Sequence, residues 1–472
     1  EFFPASALVS LVLLGAGMWG LGGAATTAVL PLGLPDLPFY LRLDPLAAFF
    51  LVLLGAASLG VSLFAAGYFR TMAGGVLGLL CLEYHLFLVG MALVLLADDA
   101  YMFMVAWETM ALSSYFLVTT DHHVPDIRKA GYLYLLIAHV GAIAILLSFG
   151  VMQGGHGIGA YTFDAMREAH LSGFWSSVAF LLALFGFGAK AGLLPMHVWL
   201  PEAHPAAPSP VSALMSGVML KTAIYGILRV TFDLLDTPLW WWGLLALVLG
   251  LVTALFGVMF AAVQGDMKRL LAYSSIENIG LLLVGIGLAI IFHAYGKEAL
   301  AALALTATLY HALNHAFFKS LLFLGTGSIL HSTGERNMGR MGGLIHKMPW
   351  AAALMLVGVL GLAGLPPLNG FASEWLLLQA FLLSPGLPNA YINMLIPVSA
   401  AVIALAGAGA AYVMVKFYGI IFLGQPREES LRHAHDAGIW KRLGMGWLAL
   451  GGVALGLMPV WVVGQSTLLP MC

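Results

Sequence analysis

Four lysines lie inside apolar stretches of this sequence: Lys190, Lys221, Lys319 and Lys416. A charge at the middle of a bilayer costs several kcal/mol, so such residues usually line a cavity, pair with another charge or change protonation state. Burial favours the neutral form of a lysine, whereas a nearby carboxylate favours the charged form. A lysine held between these two influences binds and releases a proton, which is the chemistry of a proton relay.

A second group of titratable residues shares one helical face. His311, His315 and Lys319 are spaced at i, i+4 and i+8, with Asn314 among them. This spacing places the three titratable side chains on one face and spreads them over about 12 Å of helix axis. Histidine titrates near neutral pH and passes a proton between its two ring nitrogens. The row therefore predicts a path for protons rather than an isolated core histidine.

Two carboxylates accompany these cations, Glu108 within an apolar run and Glu374 after a proline-rich interruption. A glutamine would serve a structural hydrogen bond at position 108 without titrating, so the sequence favours Glu108 as a switching ion-pair partner of Lys190. Each of these residues also has a structural interpretation. Glu374 or Lys190 could cap a helix end, and Lys416 could extend its ammonium group to the membrane surface. Three further residues have structural and functional interpretations of equal weight: Glu83, His139 and Glu277.

Composition indicates that these residues belong to a membrane protein. The 472 residues are 61% hydrophobic and 9% charged, whereas a soluble chain carries about 25% charge. The net charge of -2 does not suggest nucleic-acid binding. The two cysteines, Cys81 and Cys472, form no CxxC motif, so no disulfide framework, zinc site or iron–sulfur cluster is encoded. We expect no metal, no cofactor and no redox chemistry on this chain.

Apolar runs long enough to cross a bilayer recur along the whole chain. A spanning helix needs roughly 20 apolar residues. The sequence predicts an all-α, polytopic membrane protein with about thirteen transmembrane helices, near residues 5–30, 45–67, 74–97, 99–119, 128–151, 175–200, 208–232, 240–263, 270–292, 299–328, 350–381, 392–423 and 443–464. No long polar segment separates them, so residues 1–472 are predicted to form a single membrane domain.

The basic residues support this count because they divide unevenly between the two sides. Twelve fall in loops on one side: Arg70, Arg128, Lys129, Lys268, Arg269, Arg336, Arg340, Lys347, Arg427, Arg432, Lys441 and Arg442. Four fall on the other side: Arg42, Arg167, Arg229 and Lys297. Loops rich in lysine and arginine face the cytoplasm. The pattern predicts a multi-pass protein of the cell inner membrane, with its N-terminus inside and its C-terminus outside.

Two spans contain glycine–proline interruptions, Ala-Gly-Leu-Leu-Pro at 191–195 and Ala-Gly-Leu-Pro-Pro-Leu-Asn-Gly at 363–370. Proline removes a backbone donor, and in lipid the freed carbonyls need protein or water partners. The two motifs align at an offset of 172 residues and lie five spans apart, so they enter the membrane from opposite sides. This pattern predicts an inverted repeat, with one copy at about 99–232 and the other at about 240–423.

Four long segments resemble one family of membrane proteins. They are FGFGAKAGLLPMHVWLPEAHPAAPSPVSALMSGVMLKTAIYG from Phe185, GDMKRLLAYSSIENIG from Gly265, LYHALNHAFFKSLLFLGTGSIL from Leu309 and GLPPLNGFASEW from Gly364. In this order they are similar to the antiporter-like subunits of respiratory complex I and of the Mrp cation/proton antiporters. The forms HPAAPS, LMSGVMLK and PPLNGFASEW most resemble the branch of large membrane subunits in hydrogenase-4 and formate hydrogenlyase complexes.

The resemblance implies a core of fourteen helices in two inverted five-helix repeats, each with a broken helix. The thirteen spans counted here imply that the first helix of the family is missing from this chain. The channel residues of the family carry over onto seven positions: Glu108, Lys190, Lys221, His311, His315, Lys319 and Glu374. Lys416 joins them as a candidate because it lies inside a span. Position 374 is lysine in some relatives and glutamate here.

The resemblance also implies a function, that of a proton-translocating, antiporter-like subunit of a complex I-related oxidoreductase. It favours a membrane-bound NiFe hydrogenase, whose other membrane subunits and peripheral arm of NiFe and iron–sulfur subunits are the expected partners. The lipid bilayer surrounds such a chain, and no nucleic acid is expected. An Mrp-type Na⁺/H⁺ antiporter subunit and an NADH–quinone oxidoreductase subunit are the alternatives. A transport-inactive anchor is disfavoured because nearly all ionisable positions are occupied.

Overall fold

The computed structural model describes residues 2–35, 37–71, 74–153, 161–235, 238–384 and 386–466. Within these residues the chain is a bundle of helices joined by short loops, as the apolar runs predict. The helices are α1 (Phe2–Leu21), α2 (Pro45–Tyr68), α3 (Gly74–Leu96), α4 (Ala100–Val118), α5 (Pro125–Met152), α6 (Phe163–Arg167), α7 (Gly173–Ala191), α8 (Leu200–Ala206), α9 (Ser209–Leu214), α10 (Leu220–Arg229), α11 (Trp240–Val263), α12 (Met267–Ala294), α13 (Glu298–Thr333), α14 (Pro349–Leu362), α15 (Asn369–Leu382), α16 (Ala390–Phe422), α17 (Ile439–Leu457) and α18 (Pro459–Ser466).

Acidic side chains define where several helices begin. Asp44, Asp99 and Asp266 precede α2, α4 and α12, and each carboxylate accepts a hydrogen bond from a nearby backbone N–H, at 2.9, 2.6 and 2.9 Å respectively. The first N–H groups of a helix have no partner within the helix, and an acidic N-cap satisfies one of them. These short polar caps therefore bound helices that are otherwise apolar over most of their length.

One β-hairpin interrupts the all-helical prediction. Strand β1 (Thr26–Leu34) pairs antiparallel with strand β2 (Leu37–Leu43). The predicted first span over residues 5–30 is wrong in its second half, because α1 ends at Leu21. Two glycines and two β-branched threonines follow that helix, and these residue types favour a turn and then a strand.

The described part of the chain contains ten candidate membrane spans and further apolar helices. The ten are helices or helix pairs long and apolar enough to cross a membrane, and α13, the α14–α15 pair and α17 pack among them. Short backbone bridges mark the two ends of the bundle. Asp99 pairs with Thr162 at the end that carries the hairpin, and Asp266 pairs with Asn337 at the opposite end. We call these the hairpin face and the basic face; the basic face is the one predicted to be cytoplasmic.

Glycine brings α11 and α12 into close contact. A Cβ added to Gly250 on α11 would lie 2.7 Å from the carbonyl oxygen of Gly280 on α12, so only glycine fits there without a shift of the backbone. Small residues let membrane helices pack backbone against backbone. This contact holds α12 in place behind the centre of the bundle.

Both predicted interruptions are breaks in helices. α7 ends at Ala191, the next residue Gly192 has a φ of +81°, and a 3₁₀ turn at Met196–Trp199 leads into α8. Residues 363–368 separate α14 from α15, and Gly364 has a φ of +62°. A positive φ favours glycine because it has no Cβ. The inverted relation between the two halves of the chain stays a prediction.

The helix that carries Lys221 is irregular at both ends. π-helical turns at Met215–Met219 and Val230–Leu234 flank α10. Such turns are rare inside helices and frequently occur at functional sites, because they displace the ordinary backbone hydrogen bonds. The chain on either side of α10 therefore has backbone carbonyls that are available to side chains.

Candidate functional site

The three titratable residues of α13 lie deep in the bundle. His311, His315 and Lys319 are 4%, 0% and 0% exposed. α13 has 36 residues and packs against α9, α12, α14, α15 and α17. Because neighbouring helices cover its middle section, the predicted row faces protein partners and not lipid.

Lys221 contacts His315 and thereby joins α10 to α13. Its Nζ hydrogen-bonds His315 Nδ1 and donates to the carbonyl oxygen of Ser216 at 2.6 Å. Ser216 belongs to the π-helical turn before α10, and its hydroxyl oxygen lies 2.7 Å from that of Ser275 on α12. The fold thus brings together two titratable residues that are 94 positions apart in the chain.

His311 has a hydrogen-bond partner on each ring nitrogen. Nδ1 is 3.0 Å from Ser373 Oγ on α15, and Nε2 is 3.1 Å from Asn278 Oδ1 on α12. The amide nitrogen of Asn278 donates to the carbonyl oxygen of Ser274 at 2.8 Å, so the amide oxygen faces the ring and accepts from Nε2. His311 is therefore held by α12 and α15 through both of its ring nitrogens.

Lys319 points toward α12. Its Nζ donates to the carbonyl oxygen of Leu271 at 2.9 Å, and Glu277 on the same helix is the carboxylate whose charge acts on it. Lys319 and Glu277 are 0% and 2% exposed. The sequence alone gives Glu277 equal structural and functional interpretations, and its place beside Lys319 adds a carboxylate to the row.

Two asparagines tie α13 to the second helix break. Asn314 Nδ2 donates to the carbonyl oxygen of Asn369 at 2.8 Å, and Asn369 Nδ2 donates to the carbonyl oxygen of Asn314 at 3.3 Å. Backbone groups released by a break need such partners in lipid. The exchange positions the start of α15, and with it Ser373, against His311.

Lys190 lies at the first helix break and is hydrogen-bonded to a tyrosine. Its Nζ donates to Tyr134 Oη at 2.6 Å and stands 4.7 Å from the centroid of the same ring. Tyr134 Oη in turn lies 2.5 Å from Ser114 Oγ. An ammonium group gains from both a hydrogen bond and the face of an aromatic ring. The three side chains link α7, α5 and α4.

Glu108 forms an ion pair with His139, and its charge also acts on Lys190. Glu108 Oε2 lies 3.4 Å from His139 Nε2, and the two side chains are 31% and 48% exposed on the outer wall of the bundle. Within the described residues no ion pair joins Glu108 to Lys190, its predicted switching partner. A groove of about 480 Å³ between α4 and α5 contains the Glu108–His139 pair and is otherwise lined mostly by apolar side chains.

Two other predicted residues form no hydrogen bond with this row in the described part of the chain. Glu374 on α15 is partly buried beside Gly364, and it makes no hydrogen bond or ion pair with the residues that the structure describes. Lys416 on α16 donates to the carbonyl oxygens of Ala262 and Gln264 at 2.7 and 2.9 Å. Carbonyls at a helix end have no partner within the helix, so Lys416 caps α11 here.

Sequence reasoning missed the neutral polar residues that connect the titratable ones. All are buried, each in an otherwise apolar stretch of helix: Ser114, Tyr134, Ser216, Ser275, Asn278 and Ser373. The signal that could have found them is a hydroxyl or amide side chain inside an apolar run. That signal is ambiguous, because a serine in a helix often hydrogen-bonds the carbonyl four residues before it.

A charged cluster at the hairpin face was also missed. Arg229 donates to both carboxylate oxygens of Asp44 at 2.6 and 2.9 Å and to Asp233 at 2.9 Å. Arg167 binds the same Asp233 carboxylate at 2.9 and 2.8 Å. The charge pattern predicts that Arg229 lies in a loop, and this prediction is wrong. Arg229 is the last residue of α10 and is 5% exposed. It can be buried there because the aspartates compensate its charge.

The acidic members of this cluster stay ionised because of their partners. Burial by itself would raise the pKa of the Asp44 carboxyl, but the hydrogen bonds and charge of Arg229 and the Ala47 N–H outweigh it and lower that pKa below its ordinary value of 3.8. The cluster is therefore a permanent tie between α2 and the end of α10, outside the titratable row.

Comparison with known proteins shows the family to which this chain belongs. A family model described as "NADH:quinone oxidoreductase/Mrp antiporter, TM" matches residues 97–404. Hydrogenase-4 component B of Escherichia coli (strain K12) is 40% identical over 425 residues, which cover 89% of this chain but only 63% of that protein. Formate hydrogenlyase subunit 3 of the same strain is 36% identical over 422 residues, which cover 89% of this chain and 67% of that protein.

A solved structure has the same fold. A chain in the structure of the Mrp complex from Dietzia sp. DQ12-45-1b superposes with a TM-score of 0.83 at 22% sequence identity, covering 99% of this chain and 90% of the matched chain. At this identity the similarity concerns the fold, and it confirms the predicted polytopic helical architecture.

Proposed function

This chain belongs to the NADH:quinone oxidoreductase/Mrp antiporter transmembrane family, and on that premise we propose that it translocates protons as the antiporter-like subunit of a complex I-related oxidoreductase. Similarity to hydrogenase-4 component B and formate hydrogenlyase subunit 3 supports a membrane-bound NiFe hydrogenase complex in the cell inner membrane. The redox chemistry then takes place on a peripheral arm of NiFe and iron–sulfur subunits, and this chain supplies the ion path.

The Lys221–His315 contact is the observation that supports proton transfer most directly. An ammonium group faces an imidazole nitrogen in the buried centre of the bundle, and both groups exist in charged and neutral forms. Transfer of the proton from Nζ to Nδ1 leaves a neutral amine and an imidazolium. Charge therefore moves between α10 and α13 without either side chain leaving its place.

The path continues along α13 in this proposal. The ring centroids of His315 and His311 are 6.4 Å apart, and His315 Nε2 has no hydrogen-bond partner among the described residues. Transfer between the rings uses one water that bonds this nitrogen and takes the place of one present partner of His311. His311 contacts Ser373, and Glu374 follows it on α15 as the proposed release group. Lys190 and Glu108 form the other end of the path, in the proposed first repeat at 99–232, and the α13 row belongs to the proposed second repeat at 240–423.

The Glu108–His139 pair supports a neighbouring membrane subunit. Ionisable groups on a lipid-facing wall are costly, yet this pair lies in an apolar groove on the outside of the bundle. A helix of an adjacent subunit that filled the groove would remove the pair from lipid. Electron transfer in the peripheral arm would act on this chain through such contacts, as a coupling between distant sites.

The test is proton uptake by the purified complex reconstituted in vesicles. Lys221→Ala removes both the proton and the charge, whereas Lys221→Arg keeps a positive charge on a guanidinium that does not deprotonate in proteins. We expect both variants to lose redox-driven uptake, because the path needs a group that releases its proton. Lys347→Met, in an exposed loop, is the control and should retain uptake.

Two further measurements make the result decisive. Hydrogenase turnover with an artificial electron carrier shows that the complex is assembled in each variant. Normal proton uptake by an assembled Lys221→Arg complex contradicts the proposal, because a fixed charge would then suffice. A sodium requirement for uptake would contradict proton-only transport and would favour cation exchange of the Mrp type.

A further inference from the structure

A large polar cavity opens on the basic face. Its volume is about 890 Å³, and its walls come from α5, α8, α12 and the loops beside them. Side chains of both charges line it, among them Lys129, Glu202, Asp266, Lys268, Arg269 and Arg336. We call this cavity the basin. It lies on the predicted cytoplasmic side and borders the second half of the first broken helix.

His204 lies directly beside the basin, inside the protein. Pro205 to Pro208 line the basin, whereas His204 is fully buried, with 0% exposure. Its ring stacks on Phe323 of α13, with centroids 4.9 Å apart and ring planes at 20°. Among the described residues neither ring nitrogen has a hydrogen-bond partner. Buried polar atoms are nearly always satisfied by protein or ordered water, so these two nitrogens point to water beside the ring.

The position of His204 connects the basin to the titratable row. On one side, Lys268 lines the basin and donates to the carbonyl oxygen of Ala207 at 2.7 Å. On the other side, Phe323 lies one helical turn beyond Lys319, so the stacked ring packs against the same face of α13 that carries Lys319. The charges that act on the ring are the ammonium groups of Lys268, Lys319 and Lys221.

We propose that His204 is the inlet relay of this chain, passing protons from water in the basin to Lys319. A proton from a basin water binds one ring nitrogen, the proton on the other nitrogen leaves through a second water, and the neutral amine of Lys319 accepts it. The ring, now in the opposite tautomer, returns to its starting state by rotating about the Cβ–Cγ bond, which exchanges the places of its two nitrogens. The inference rests on the proposed proton-translocating function and assigns the residue through which protons reach it from the basic face.

A purely structural role makes a different prediction. If His204 only fills space against Phe323, a phenylalanine at position 204 preserves the stack and serves equally well. If it relays protons, phenylalanine blocks the inlet because the ring has no nitrogen. Alanine leaves a void beside the basin that free imidazole can enter and occupy.

The experiment measures proton uptake by the reconstituted complex with and without added imidazole. We expect His204→Ala and His204→Phe to lower uptake by about tenfold or more, as loss of a proton-transfer group does. Imidazole in the millimolar range should restore uptake to the alanine variant but not to the phenylalanine variant. His85→Ala is the control, because His85 lies on α3, bonds Ser6 Oγ of α1 and the Cys81 carbonyl oxygen, and lines neither the basin nor the α13 row, so this variant should retain uptake.

Several outcomes would overturn the inlet role. These are unchanged uptake in His204→Phe, and a loss in an assembled His204→Ala complex that imidazole does not restore. Should the alanine variant fail to assemble, His204→Gln keeps a polar side chain of similar size, and normal uptake by it also overturns the relay. Loss of uptake in Lys221→Arg together with normal uptake in His204→Phe places the inlet elsewhere but leaves the proposed function standing.

Discussion

Asp44 holds together the hairpin-face cluster, and two substitutions separate its two contributions to stability. Its carboxylate caps α2 through the Ala47 N–H at 2.9 Å and binds Arg229 through hydrogen bonds of 2.6 and 2.9 Å. Asparagine retains the capping oxygen but loses the charge, whereas alanine loses both. Asp44→Asn therefore measures the ion pair, and Asp44→Ala measures the ion pair and the cap together.

The expected magnitudes follow from burial and geometry. Removing one partner of a buried ion pair costs about 3–5 kcal/mol. Asp233 also accepts a hydrogen bond from Arg229 at 2.9 Å and continues to compensate its charge, so we expect the lower end, about 3 kcal/mol, for Asp44→Asn. Loss of the cap adds about 1 kcal/mol. Asp44→Ala should therefore lower the free energy of unfolding by about 4 kcal/mol.

The assay is denaturant-induced unfolding of the detergent-solubilised protein at several pH values. The folded pKa of Asp44 lies below its ordinary value of 3.8. The contribution of the charge is therefore fully present above 3.8 and is lost as the pH falls through the folded pKa. The difference in unfolding free energy between wild type and Asp44→Asn should shrink correspondingly in acid.

A double variant provides the control. Removing both partners in Asp44→Asn/Arg229→Met should cost less than the sum of the single changes, because it leaves no unpaired charge. A cost below about 1 kcal/mol for Asp44→Asn, which is the range of exposed pairs, would refute the buried-pair reasoning. Equal costs for asparagine and alanine would refute the capping contribution.

Two other substitutions test the first half of the path and the helix packing. Tyr134→Phe removes the hydroxyl that binds Lys190 but keeps the ring, so proton uptake should slow while assembly is unchanged. Tyr391→Phe, at an exposed tyrosine, is the control and should leave uptake unchanged. Unchanged uptake in Tyr134→Phe would contradict a role for the Lys190–Tyr134 hydrogen bond in the path. Gly250→Leu forces a side chain between α11 and α12 and should cost at least about 1–3 kcal/mol of unfolding free energy. Gly446→Leu, where a Cβ meets open space, should cost little, and equal effects would contradict the close-packing argument.

The passages and the helix breaks could be predicted because their causes are local. Twenty apolar residues in a row have no stable place outside a bilayer or a core, and Pro195 and Pro366 interrupt a helix wherever they lie. The prediction for residues 5–30 failed for a related reason. Apolar residues continue past Leu21 into β1, so hydropathy alone does not distinguish the end of the helix from the start of a strand.

The titratable side chains could be identified from sequence, but most of their partners could not. An ionisable residue in an apolar run is recognisable without a structure, as Lys190 and Glu108 are. Their pairing is not: Lys190 binds Tyr134, and Glu108 binds His139. The choice depends on which way α4, α5 and α7 are turned in the bundle, and rotation about a helix axis leaves no mark in an apolar sequence.

The sequence by itself identified the ionisable residues inside apolar runs, the polytopic helical architecture and the two helix breaks, because each depends on residue type over a short stretch. Only the tertiary structure decided that Lys221 meets His315, that Glu108 pairs with His139 on the outer wall and that His204 stacks on Phe323 beside the basin. The physical reason is distance along the chain: spacing sets the face of one helix, whereas contacts between helices depend on how every face in the bundle is packed.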